Sequence, residues 1–229
     1  MNKFNRKGFT LIELLVVIAI IAILAVVVIL TLNPAQLLAQ ARDSNRTSDM
    51  ATLKSAISLY LADVSSTYIG TTTICYISAV PPGADAGAVM VPTSASAPTS
   101  SFMKTPGTGG AASSTLTDPC GSWMVSATGV ASSTARGING PGSGWIPVNF
   151  SAISAGSPVG NLPVDPNNST NNGTRGFYYS YMPYTANNTF KLATFMESTK
   201  YSASGSGDVT TNDGGNNVNV FEGGTNPGL

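Results

Sequence analysis

Few residues in this 229-residue chain are placed to do chemistry. There is no histidine, which removes the Ser-His-Asp and Cys-His arrangements and the common zinc sites. Two cysteines, Cys75 and Cys120, stand 45 positions apart, and Asp208, Asp213 and Glu222 lie scattered among Gly and Asn. The ionisable group in the least ordinary setting is Glu13. It sits at the start of an apolar run: Leu14 to Leu30 are all Leu, Val, Ile or Ala, and Leu11, Ile12 and Leu32 extend it. A carboxylate in such a run is expensive in lipid and calls for a named partner. No Lys or Arg occurs between Lys7 and Arg42. The positive charge within reach of Glu13 is therefore an amino terminus made close to it.

The element that positions Glu13 is a helix. At about 1.5 Å per residue, the run is long enough to cross a hydrocarbon core of about 30 Å. Lys3, Arg6 and Lys7 precede it with no acidic residue before Glu13, which keeps that end cytoplasmic and sends the remainder across the membrane. Three readings compete. Ala39-Gln40-Ala41 has the form of a secretory cleavage site, but the run exceeds an ordinary signal core and the site lies well past its end. A plain signal anchor accounts for the run and the basic flank and leaves Glu13 unexplained. The third reading starts from Glu13 and the residues before it.

Lys7-Gly8-Phe9-Thr10-Leu11-Ile12-Glu13-Leu14 resembles the leader junction of type IV prepilins and pseudopilins. The match is uninterrupted from Lys7 to Leu30 and weaker onward to about Val64. The resemblance implies that a membrane peptidase cuts between Gly8 and Phe9 and methylates the new amine on Phe9. It also implies that Glu13 neutralises the amine of a neighbouring subunit during filament assembly. Elementary physics agrees with this. The amine and Glu13 are one helical turn apart, and a carboxylate at a helix N-terminus is favoured by the macrodipole. Cleavage removes Lys3, Arg6 and Lys7, leaving 8 basic side chains against 11 acidic. The basic anchor goes, and the helix is freed to leave the bilayer. The bland alternative is a carboxylate tolerated at the membrane rim.

The helical pattern continues past Leu32. Pro34 should kink or locally open the helix. Gln36, Gln40, Arg42, Asp43, Asn45, Arg46 and Asp49 form a polar stretch. Leu53, Ile57, Tyr60, Leu61 and Val64 then recur at helical spacing as one apolar face, with Asp49 and Lys54 on the polar side. The predicted organisation is a leader over 1–8, a membrane or filament-core helix over 9–34, an amphipathic helical half over 35–64, and a β-rich head with long loops over 65–229.

In the head, Thr71–Ala79 is β-prone, and Pro81 to Pro119 reads as loop. Trp123–Val125 and Trp145–Val148 suit short strands or anchors under loops. Phe177–Met182 and Phe190–Glu197 read as an antiparallel hairpin with its turn over Pro183–Thr189, packed against the Leu53–Val64 face. Phe190, Leu192, Thr194 and Met196 share one face, with Lys191 and Glu197 on the other. Leu162-Pro163-Val164-Asp165-Pro166 before a Tyr-rich strand resembles heads of major type II secretion pseudopilins. The aromatic cluster reads as core packing more readily than as a ligand-stacking surface. The predicted fold class is α+β: a long N-terminal helix packed on a small antiparallel sheet, type IV pilin-like.

Outside the membrane Cys75 and Cys120 are expected to pair, with free or intermolecular cysteines as the alternative. Closing that loop would contribute about 4 kcal/mol in the chain-entropy description. The resemblance to major pseudopilins raises calcium as a candidate ligand for Asp208, Asp213 and Glu222, although no EF-hand spacing is present. No other cofactor or metal is expected. A net charge of zero argues against direct nucleic-acid binding. The expectation is a structural filament subunit and not an enzyme. Its partners would be the prepilin peptidase, further copies of itself, an inner-membrane assembly platform and minor pilins. It would lie in the bacterial cytoplasmic membrane, head outside, before joining a surface or periplasmic filament. The alternatives are a pseudopilin of type II secretion and a membrane-anchored binding module that uses the same leader.

Overall fold

A computed structural model describes residues 8–72, 74–79, 129–168 and 177–226. Two compact units are present, residues 1–39 and 40–229.

In the first unit, helix α1 spans Leu11–Leu32. Over Leu11–Ile29 its mean hydropathy is 3.4, and none of it is buried among the described residues. Asn33 ends the helix in the left-handed conformation, φ 41°, a role Asn fills at low steric cost. Helix α2, Pro34–Asp63, begins at once. Pro34 occupies the first helical position, where its missing N–H is no loss. Asn33 accepts through its carbonyl from the Gln36 and Leu37 amides at 3.0 and 3.3 Å. Two helices with an Asn-Pro junction thus replace the single long one.

From Gln40 onward α2 belongs to the second unit. Met50, Leu53, Ala56, Ile57 and Tyr60 are buried in one core cluster with Tyr76, Trp145, Phe150, Tyr179, Tyr181, Phe190 and Leu192. Leu61 and Val64, expected on this face, are half-buried against it. The sheet contains β1 (Ile74–Ile77), β2 (Gly129–Ser132), β3 (Ser180–Tyr184), β4 (Thr189–Thr194) and β5 (Phe221–Gly224), in the order β2-β1-β3-β4-β5. β1, β3, β4 and β5 are antiparallel neighbours, while β2 lies parallel to β1. The predicted antiparallel sheet is therefore present with one parallel strand added at its edge. A second apolar cluster, Cys75, Ile77, Ala79, Tyr178, Met182, Ala193, Phe195 and Val220, completes the core. Cys75 and Ile77 alternate along β1 with Ile74 and Tyr76 of the first cluster, so the sheet is covered on both faces.

The hairpin is real, with shifted bounds. Pro183 and Tyr184 are in β3, Pro183 pairs with Phe190, and only 185–188 turn. Asn188 takes the left-handed conformation there, φ 51°. Phe177–Tyr179 precede the strand. Trp145 is a buried anchor, its indole N–H donating to the Pro163 carbonyl at 2.9 Å. Trp123 and the Pro81–Pro119 stretch lie outside the described residues.

Candidate processing and assembly site

Gly8, Phe9 and Thr10 precede the first helical turn and are exposed, with Phe9 at 88%. A peptide bond in such a non-helical stretch can be drawn into a peptidase cleft without unwinding a helix. Nothing lies within 4 Å of where a side-chain carbon on Gly8 would stand. The fold itself makes no demand for glycine at this position. The requirement, if there is one, belongs to whatever binds the junction.

Glu13 is tied to Thr10. The Thr10 amide and hydroxyl donate to Glu13 Oε2 at 2.8 and 2.7 Å, and the Glu13 amide donates to Thr10 Oγ1 at 3.3 Å. This is a complete capping box, two otherwise orphaned donors being satisfied reciprocally. Sequence reading picked out Glu13 by its charge in an apolar run and by its place in the leader junction. The Thr-x-x-Glu spacing carried the second role.

A family model described as the prokaryotic N-terminal methylation motif matches residues 3–29. The chain carries a prepilin-type leader. The leader is of the kind found on type IV pilins and pseudopilins, and with the exposed apolar α1 it fits anchoring in a membrane. No curated protein and no solved structure matches the chain.

A second polar constellation lies in the head, and sequence reading missed it. The stretch from Arg42 to Asp49 is not a solvent face: Asp43 and Arg46 are fully buried. Arg46 Nη1 donates to Asp43 Oδ1 at 2.7 Å, and its Nε and Nη2 reach the two Asp165 oxygens at 2.7 and 2.8 Å. Arg42 grips Glu197 through Nε and Nη2 at 2.7 and 2.6 Å. Asp43 also accepts from the Glu197 and Ser198 amides, both at 2.8 Å. The Phe177 ring lies 4.8 Å below the Arg46 guanidinium, a favourable cation–π distance. Burial works against the Arg46 charge, but Asp165 and Asp43 more than offset it and hold its pKa raised. Asp49 accepts from Tyr179 Oη at 2.7 Å. Burial, then Asp49, pushes the Tyr179 phenol far above its usual range. The cluster fastens α2 to the exit of β4 and to the 162–168 turn, which gives the Pro163–Pro166 segment its place. The signal was the stripe 43-46-50-53-57-60, in which the charges occupy the same helical face as the apolar residues.

Lys191, expected on the strand face opposite Phe190 and Leu192, is buried there against Glu222. Cys75 is buried in β1, and Cys120 lies outside the described residues. The candidate calcium ligands each accept hydrogen bonds from their own chain. Asp208 takes the amides of Ser204, Thr210 and Thr211. Asp213 takes those of Gly215 and Glu222, and Glu222 faces Lys191. Among the described residues no three of His, Cys, Asp or Glu converge as a metal cluster.

Proposed function

We propose that this chain is a structural subunit of a type IV pilus-like extracellular filament. It is held in the cytoplasmic membrane through α1 with its head outside. It is cut between Gly8 and Phe9, methylated on Phe9, and assembled by bundling of apolar helices. The observation that carries this reading is the methylation motif placed on an apolar helix none of whose residues over Leu11–Ile29 is buried. An apolar helix left exposed among the described residues needs lipid at first, and other copies of itself once it leaves lipid. Glu13 offsets a neighbour's amine as α1 enters the bundle. Such a subunit performs no reaction; a peptidase and the assembly platform act on it.

A second reading rests on the 162–166 turn. Leu162 and Asp165 are buried, and the turn is built into the head through Arg46. That supports a pseudopilin of type II secretion, whose heads the segment resembles. Intact-mass spectrometry of sheared surface material beside the membrane fraction separates the readings. A species starting at methylated Phe9 that dominates the sheared fraction supports the surface filament. The same species confined to the membrane supports the pseudopilin. An uncut chain in both fractions overturns the two together and leaves a membrane-anchored binding module.

A further inference from the structure

Three side chains of complementary chemistry meet on one face of the sheet. Lys191 projects from β4, Glu222 from β5, and Asn216 comes from the loop entering β5. Lys191 Nζ donates to Asn216 Oδ1 at 3.0 Å and meets Glu222 Oε1 as an ion pair, both side chains sealed from solvent. Glu222 stands opposite Ala193, which makes it the diagonal neighbour of Lys191 on the same face.

The loop is held in register by its own bonds. Asp213 accepts from the Gly215 amide at 2.8 Å and the Glu222 amide at 2.6 Å. The Asn217 amide donates to Glu222 Oε2 at 2.9 Å. A side-chain carbon at Gly215 would strike the Glu222 carboxylate, so glycine at this position allows the close approach. Amine, carboxylate and carboxamide are fixed together by separate constraints from both flanks.

A buried ion pair recovers little of its desolvation cost. Passing the proton from Nζ to the Glu222 carboxylate gives a neutral pair that is cheaper to bury. Burial lowers the pKa of Lys191, against the opposing pull of Glu222. The neutral pair is an unprotonated amine beside a carboxylic acid, and both face a carboxamide. These are the parts needed for amide exchange, a nucleophile with a general acid–base at hand.

We propose that Lys191 and Asn216 become joined by a self-catalysed isopeptide bond, with Glu222 shuttling the protons. The Nζ lone pair attacks Asn216 Cγ, and the carbonyl electrons move to Oδ1. Glu222 passes a proton to Nδ2 and takes one from Nζ. As the carbonyl re-forms, the Cγ–Nδ2 bond breaks and ammonia leaves. One amine and one primary amide give one secondary amide and ammonia, with no oxidant or activated group. The cross-link ties β4 to the loop that carries the edge strand β5.

The test is mass spectrometry on the full chain, extracted in detergent and denatured. The expected mass is one ammonia below the composition of the species present, leader and methylation state included. Trypsin should fail to cut after Lys191 and should yield a branched peptide joining residues 176–200 to the segment containing Asn216. Asn216→Ala and Glu222→Gln should restore cutting at Lys191 and the full mass. A wild-type chain at full mass overturns the proposal. So does loss of ammonia with the two segments recovered separately, as succinimide formation at Asn139-Gly140 would give. The wild-type map decides even if a variant fails to fold.

Discussion

Arg46 and Asp165 lie 119 positions apart and meet through two parallel hydrogen bonds of 2.7 and 2.8 Å, neither side chain touching solvent. A pair of this kind is costly to break from one side, because the surviving charge is left buried. Arg46→Met and Asp165→Leu should each destabilise the head by about 3–5 kcal/mol. The double variant should lose less than the two losses added together. Denaturant titration of the full chain in mild detergent, read by tryptophan fluorescence, checks this. Additive losses would mean that the two residues do not act as a unit.

The leader junction separates two events. Gly8→Glu should leave an uncut precursor in the membrane fraction, with α1 intact, since a side-chain carbon at Gly8 would stand in open space among the described residues. Glu13→Lys should be cut normally and assemble poorly. Intact mass reads the first event, and the yield of sheared filament reads the second. Normal filament from Glu13→Lys would refute charge pairing by this residue.

Acid should loosen the Arg42–Glu197 contact. Arg42 lowers the Glu197 pKa against opposing burial. The folded value lies below the unfolded one, about 4.3. The stability this contributes is full above the unfolded value and is lost as pH falls through the folded value. Asp49 acts in the other direction: burial raises its pKa, so its charge is relieved as pH drops. Glu197→Gln should flatten the fall in Tm below about pH 4. A slope equal to wild type would assign the acid loss elsewhere.

Chelation should leave the melt unchanged. The oxygens of Asp208, Asp213 and Glu222 already take donors from their own chain. Millimolar calcium added after EDTA should move Tm by less than the scatter of replicate scans. A clear upward shift would show an ion in this loop.

Cys75→Ser tests the expected pairing with Cys120. The wild-type chain should gain two hydrogens on reduction, and the variant should not. The variant should lose about 4 kcal/mol if the cross-link acts through chain entropy. No mass change on reduction would retire the pairing.

The membrane-capable helix, its leader motif and the apolar face of α2 were legible because each depends on local pattern. Leu11–Leu32 needs no tertiary contact to be helical, and Leu53, Ile57 and Tyr60 announce their face by spacing. The hairpin was legible too, except that Pro183 remained in the strand instead of starting the turn. What escaped were residues whose meaning depends on distant partners. Asp43 and Arg46 read only as part of a polar stretch because Asp165 and Glu197, which bury them, are more than a hundred positions away. The burial of Lys191 escaped because period-two alternation assigns a face and cannot say what covers it. The parallel placement of β2 had no local signal either.

The box between Thr10 and Glu13 is complete before any cut, and none of its hydrogen bonds involves Gly8 or the residues before it. In the proposed maturation, the peptidase therefore meets a helix that is already finished. Removing residues 1–8 takes three cationic side chains away and leaves one amine, while the first turn keeps its shape. Maturation is then an electrical switch and not a refolding: the same rod, rewired at one end from something the membrane retains to something a neighbouring rod can accept.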